Sequence, residues 1–305
     1  MDWIARYVST FLFFSIVRVT TPVLLAALGG MITEFAGVLN IGLEGMMLFS
    51  AFTSLLVAAH SGSLALAVAA GVATGIGIAL VFAFFSLYLK GNIFIVGLAT
   101  NLFAQATTAY VTQAVFGRAG VVNILGTPVL PAVDLPLIKS LPVIGAVISG
   151  HSALVYVSWI CVALGAFIVR RTPFGWRLLA AGENPEGVHS LGLSVRKLQL
   201  GALVMSGIFC GLAGAQVALS LGVFVQDMTA GRGWIGLIAA ALGHGSFVRT
   251  ALASLLFGSA IGVANVLQTS GAGIHPKLVL MLPYIFTVVA FVAYAGRSRK
   301  LRQAT

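Results

Sequence analysis

Charge is what this chain has least of. Asp, Glu, Lys and Arg together make up 8% of its 305 residues, against about a quarter in soluble domains. With 59% hydrophobic residues there is no room for a water-soluble domain of its own, and the chain is placed in a bilayer. Cysteine is nearly absent. Cys161 and Cys210 both fall inside apolar runs, which fits small buried residues better than a disulfide or a metal pair. Acid is scarcer than base, seven residues against seventeen, for a net charge of +10. The basic residues stand at the ends of apolar runs and form no stripe with interleaved aromatics, which argues against nucleic acid as a partner. The five His form no HExxH pattern, there is no GxSxG elbow, and none of the five Lys follows a Gly. These absences leave no zinc site, no hydrolase nucleophile and no phosphate-binding loop. The chain reads as non-catalytic, without metal or cofactor, and any nucleotide-driven step needs a separate subunit.

What is present is a series of apolar runs, about nine: Phe11 to Met31, Asn40 to Ala59, Leu64 to Leu89, Ile93 to Phe116, Ala153 to Val169, Leu198 to Leu221, Trp234 to Gly245, Ala251 to Gln268 and Leu278 to Tyr294. Their length and their mixture of Gly, Ala, Ser and Thr with large apolar residues predict helices rather than a barrel. The expected fold is all-α, one polytopic bundle of about 8–10 membrane segments filling residues 1–305. The seventh run is short and glycine-rich (Gly236, Gly243, Gly245), as a broken or re-entrant helix would be. Arg18 and Pro22 within the first run suit a retained helix better than a cleaved leader.

Placing the C-terminus in the cytoplasm puts eleven basic residues inside (Lys90, Arg170, Arg171, Arg177, Arg196, Lys197, Arg249, Arg297, Arg299, Lys300, Arg302). Five lie outside (Arg6, Arg118, Lys139, Arg232, Lys277), and Arg18 is left in the membrane. The excess of Lys and Arg favours this orientation, with an odd number of spans and the N-terminus outside. The stretch 117–152 holds Pro128, Pro131, Pro136 and Pro142 and is expected to be an external loop with short interfacial pieces. Its apolar character suits either a docking surface for a delivery protein or a lid on the bilayer. Gly71 with Gly75, Gly207 with Gly211, and Gly258 with Gly262 mark close helix packing.

The longest polar interruption runs from Arg170 to Lys197. Within it Asn184 before Pro185 reads as a helix cap and first turn, with Glu186 at the positive dipole end and Gly192 as the stop. A helix of about two turns is unstable alone in water, so a partner packing on it is expected, the bland alternative being an ordinary loop. A second cluster, EFAGVLNIGLEG from Glu34, sets Asn40 and Glu44 four residues apart, predicting one helical face. Buried polar groups of this kind face a cavity or lock helices together, and both readings stand. Asn101 with Gln105 makes another four-spaced pair, while Gln216 and Asn265 sit singly in later runs. Such amides suit a hydroxyl-rich solute and equally serve as interhelical glue.

The segments EFAGVLNIGLEGMMLFSAF, AAGENPEGVHSLGLS and TAGRGWIGLIAAALGHGS resemble the permease subunits of bacterial ABC importers in the branched-chain amino acid and simple-sugar group, nucleoside and simple-sugar branch. The resemblance covers nearly the whole chain. It implies that 172–197 is the cytoplasmic coupling loop, with Gly182, Glu183, Asn184, Pro185, Glu186 and Gly187 seated in a cleft of an ATP-binding subunit. It also implies inward transport of a nucleoside or related solute by alternating access in a bacterial plasma membrane. A second, like or unlike permease chain and an external solute-binding protein are the further partners. A simple-sugar permease is the alternative. An ion-coupled secondary transporter fits less well, since only Glu44 offers an intramembrane carboxylate.

Overall fold

A computed structural model of the chain describes residues 2–117, 120–136, 144–269 and 285. Among the described residues seven helices are long and apolar enough to cross a membrane. They are α1 (Asp2–Phe35, apolar from Phe11), α2 (Leu43–Ser61), α3 (Leu64–Ala83, continued by a π-helical turn, Phe84–Tyr88), α4 (Ile93–Phe116), α6 (Ala153–Arg171), α9 (Val195–Leu219) and α11 (Phe247–Thr269). The seventh expected run is α10 (Arg232–Gly243), a helix of 12 residues. At ~1.5 Å per residue it covers about 18 Å, little more than half of a ~30 Å hydrocarbon core. The ninth expected run, Leu278 to Tyr294, lies outside the described residues apart from Ile285.

Local signals set most helix ends. Ser63, Asn92 and Ser194 cap α3, α4 and α9, each accepting from a backbone N–H at the start of its helix, and Gly62 and Gly117 close α2 and α4 at positive φ. One expectation is corrected. Asn40 does not share a helical face with Glu44, because α2 begins only at Leu43. The Asn40 Oδ1 accepts from Gly42 N at 3.0 Å, an Asx turn that competes with helix for the same backbone.

The expected loop 117–152 holds strands β1 (Val121–Asn123), β2 (Ala132–Val133) and β3 (His151–Ser152) and the short helix α5 (Ile144–Ile148). β1 pairs antiparallel with β4 (Val223–Val225), beyond the end of α9, and β2 pairs with β3 at the entry to α6. At the other end of the bundle the polar stretch folds as two helices rather than one, α7 (Pro173–Glu183) and α8 (Pro185–Ser190).

The core is built around α9, which packs against α1, α2 and α3. The first two glycine pairs meet each other: Gly71 and Gly75 of α3 lie against Gly207 and Gly211 of α9. A Cβ on Gly75 would overlap the Gly207 carbonyl oxygen and stand 3.0 Å from Gly211 N. The third pair sits against α1, Gly258 on Thr20 and Gly262 on Ile16. Lipid is as apolar as leucine, so such helices associate through close van der Waals contact rather than by hydrophobic burial. Gly75→Ala is expected to destabilise the fold by about 1–3 kcal/mol, the range for overpacking. Gly77→Ala, with open space around it, is neutral or slightly stabilising. Thermal unfolding of the detergent-solubilised protein checks the pair, and equal melting of the two variants contradicts the contact.

Candidate functional site

Three polar constructions interrupt the apolar bundle. At one end is the elbow between α7 and α8. Thr172 caps α7, its Oγ1 accepting from Gly175 N, with Pro173 in the first turn. Asn184 then ends α7, donating its N–H to the Ala180 carbonyl, and caps α8, its Oδ1 accepting from Gly187 N at 2.9 Å. Gly187 is needed there because a Cβ would stand 2.9 Å from the Asn184 amide nitrogen. Glu183, Asn184, Pro185 and Glu186 are exposed, Gly182 and Gly187 half-buried, and Val188 anchors the turn in the interior. Two large apolar side chains flank it in the open, Trp176 at 62% and Leu191 at 79% exposure. Gly182 rests on the end of α1, where a side chain would overlap the Phe35 carbonyl oxygen and come within 3.0 Å of Gly37 N. Gln199 adds a bond to the Ala36 carbonyl.

The second construction lies deep in the bundle. The Asn40 amide donates to Ser206 Oγ at 2.9 Å. Glu44 Oε1 accepts from Gly231 N at 2.9 Å and Oε2 from Gly233 N at 2.7 Å. Asn101 of α4 donates to the Ile41 carbonyl at 3.0 Å and accepts from Gly45 N at 2.7 Å. One segment, Asn40–Gly45, thus ties α2 to α4, α9 and α10. Exposures of 0%, 5% and 6% for Asn40, Glu44 and Asn101 make this a buried junction, and none of the three lines the chamber described below. The Glu44 carboxylate lies at the positive end of α10 and bonds N–H groups that have no partner within that helix. The glycines of the motif are steric necessities. A Cβ on Gly45 would lie 2.8 Å from the Thr100 carbonyl oxygen, and one on Gly233 would lie 2.6 Å from Glu44 N. Asn101 and Gln105 are not brought together, since Asn101 is buried and Gln105 is exposed on the outer side of α4.

The third construction is a chamber of about 300 Å³ at the opposite end from the elbow, lined among others by Phe14, Arg18, Gln216, Ser220, Arg232 and Asn265. A smaller space of about 170 Å³ adjoins it through Phe14, Arg18, Gln216 and Ser220 and reaches His151 and Ser152. Gln216 and Asn265, isolated in the sequence, therefore face one volume. Gln216 Oε1 accepts from Ser152 Oγ at 3.1 Å, and Arg232 donates to the Met228 carbonyl at 2.7 Å. His151 stacks on Phe14 with centroids 4.0 Å apart, and its Nε2 bonds the Val147 carbonyl at 2.8 Å. Burial, with a smaller push from the Arg18 charge, holds the His151 pKa below its ordinary value, the Val147 bond opposing. Arg232, counted among the external basic residues, forms part of the chamber wall. Sequence reasoning gave no role to Arg18, Phe14 and His151; an arginine inside an apolar run was the available signal.

Distances along α9 order the three. Ser206 stands 11 residues past Val195 and Gln216 stands 21 past it, so the junction lies roughly 16 Å and the chamber roughly 30 Å from the elbow end.

The sequence profile of the branched-chain amino acid transport system permease component matches residues 12–291. The guanosine ABC transporter permease protein NupQ of Bacillus subtilis is 31% identical over 293 residues, covering 91% of this chain and 89% of that protein. The nucleoside ABC transporter permease protein NupC of Lactococcus lactis subsp. cremoris is 32% identical over 289 residues, covering 92% and 90%. A solved inward-facing ABC transporter, described as metal-chelate type, aligns with a TM-score of 0.53 at 16% identity over 93% of this chain and 85% of its own; that likeness carries the fold.

Two outcomes follow from the geometry. Glu44→Ala strips the bonds from Gly231 N and Gly233 N and is expected to cost about 1–3 kcal/mol for each buried group left unsatisfied. Glu44→Gln, which keeps one acceptor, loses less. Denaturant unfolding in detergent ranks the two, and an alanine variant as stable as wild type contradicts the junction. For His151 the folded pKa lies below the unfolded one, so its contribution is fully present above about pH 6.5 and is lost as pH falls through the folded value. The other titratable or charged groups around it are Arg18 of α1, Tyr156 of α6 and Asp134 beside β2. Wild-type melting should fall more steeply than that of His151→Gln between about pH 7.5 and pH 5; parallel curves exclude the imidazole as the source.

Proposed function

The chain belongs to the family of branched-chain amino acid transport system permease components, and from that premise we propose that it is the membrane-spanning subunit of an ATP-driven importer carrying a nucleoside or related small polar solute. The elbow is the contact for a separate ATP-hydrolysing subunit on the cytoplasmic side of a bacterial plasma membrane. The chamber opens toward an external solute-binding protein, and a second permease chain, like or unlike this one, completes the path. The C-terminus then lies in the cytoplasm. Residues 172–197 are the coupling loop, and Gly182 to Gly187 its working part. Nucleosides are put first because NupQ and NupC, matched along nearly their full lengths, are named for guanosine and nucleoside transport; the putative glucose ABC transporter permease protein TsgC13 of Haloferax volcanii, 32% identical over 92% of this chain and 89% of its own, keeps a simple sugar as the alternative.

The observation that carries the coupling role is the elbow itself. It is exposed on its outer side yet fixed from within by the Asn184 cap, the buried Val188 and the contact of Gly182 with the end of α1. A short helix held this way transmits displacement instead of absorbing it. Movement of the elbow bears on the Phe35–Gly37 turn, and from there the chain runs directly into Asn40 and Glu44 at the head of α10.

Asn184→Ala combined with Glu186→Lys removes the cap and inverts the charge at the first turn. Uptake into vesicles containing the complete importer, and stimulation of its ATPase by solute, are expected to fall roughly 5–150-fold, the span of a ~1–3 kcal/mol coupling. If both remain at wild-type levels while the complex stays assembled, the elbow is not the coupling element.

A further inference from the structure

The chamber holds a charge that the bundle does not use. Arg18 stands in the outer part of α1, eight residues into the apolar span that begins at Phe11 and runs to Phe35, and its side chain is exposed to the chamber. Among the described residues it forms no hydrogen bond or ion pair, and its charge bears on His151, whose pKa burial and, to a smaller extent, this arginine hold below the ordinary value. Among the described residues no Asp or Glu lines either part of the chamber, and Asp134 stands behind Gly150 of the smaller space. An intramembrane cation is costly and persists where it faces water, a partner or a ligand, and among the described residues none of those lining the chamber carries a negative charge. The same volume is walled by the aromatic rings of Phe11 and Phe14 and by the amides of Gln216 and Asn265. A guanidinium is a donor-only planar fork, matched by two adjacent acceptors in one plane.

We infer that the chamber is a solute-contact site in which Arg18 reads two adjacent ring acceptors, the oxygen and nitrogen edge of an oxopurine nucleoside such as guanosine or inosine. This rests on the proposed import of nucleosides, which carry no carboxylate or phosphate to occupy the fork. The O6 and N7 atoms of guanine form the in-plane pair that arginine bonds through two N–H groups. Adenine presents an amino donor beside N7, which opposes a group that has only donors. The ribose hydroxyls suit the Gln216 amide, which has N–H groups to donate beside the oxygen that accepts from Ser152, and the phenyl rings supply a surface for the flat base. A volume of about 300 Å³ is at the small end of sites for molecules of this size, ~300–1,000 Å³. The adjoining space beside Ser152 and Ser220 adds hydroxyl partners. Specificity thus lies in the permease as well as in whatever delivers the solute.

The test is equilibrium binding of labelled guanosine to the purified full-length permease complex in lipid nanodiscs, without the delivery protein, with guanosine, inosine, adenosine and ribose as competitors. Guanosine and inosine should compete about tenfold better than adenosine, as the loss of one bidentate pair dictates. Arg18→Gln should bring guanosine and adenosine to equal, weak competition. Arg18→Lys, which keeps the charge and loses the planar fork, should narrow the preference as well, and it decides the matter if the glutamine variant does not assemble. A wild-type guanosine preference in either assembled variant overturns the assignment to Arg18 and leaves nucleoside import standing. Competition by ribose alone, with ribose uptake and no nucleoside uptake in vesicles, overturns the import reading and this inference with it.

Discussion

A helix that starts inside a bilayer exposes N–H groups where no water can reach them, and the rest of this architecture depends on how α10 meets that constraint. Each unsatisfied backbone group in hydrocarbon costs several kcal/mol. Here Gly231 and Gly233 present their N–H groups to the two oxygens of one carboxylate, Glu44, at the start of α2. The arrangement answers two problems at once, because a carboxylate in the membrane also needs partners. It needs glycine on the opposing side, since a Cβ on Gly233 would collide with the backbone of Glu44 itself. Breaking helix 10 short is therefore tolerable only because a second segment brings an acid to that depth.

That second segment is in turn held by the packing around it. Asn40 reaches Ser206 on α9, and Asn101 brackets the backbone at Ile41 and Gly45. α9 holds its own position through the facing glycines of α3, where backbone lies on backbone and shape alone fixes the register. Polar satisfaction at the junction and steric fit along α3 and α9 are thus coupled. Side chains at the glycine contact would push α9 outward and carry Ser206 away from Asn40.

What the chain reveals before folding is unevenly distributed. Residues whose role is local were legible: Asn184, Pro185 and Gly192 announce the turn at which α8 starts and stops, and the small residues of the seventh run announce a short helix. The Thr172–Pro173 pair obeys the same capping rule, but it follows the charged end of a long apolar run directly, so no polar spacer sets the start of α7 apart from the end of α6. The four-residue spacing of Asn40 and Glu44 misled for a physical reason. An asparagine that can bond the amide two residues on withdraws its segment from the helix. The pairing of β1 with β4 across a hundred residues, and the gathering of residues 18, 216, 232 and 265 around one chamber, depend on how distant helices are arranged. No local pattern encodes that.

From the elbow contact at Gly37 to the capping acid at Glu44 is seven residues, and α10 returns from that acid to the same region, where a side chain on Gly245 would come within 3.0 Å of the Phe35 ring. One short stretch of chain, Phe35–Glu44, therefore meets α10 at its start and the turn just beyond its end. A brace of this kind cannot shift at the elbow end without loading the bonds at the inner end, because the helix between is stiff and its N-terminal N–H groups cannot exchange the carboxylate for water. Under the proposed function this is the route by which a cytoplasmic displacement reaches Arg232, which lies between the two N–H groups held by Glu44 and forms part of the chamber wall. The chamber need not be touched to be reshaped; it is enough to tilt the half-helix on which its wall begins.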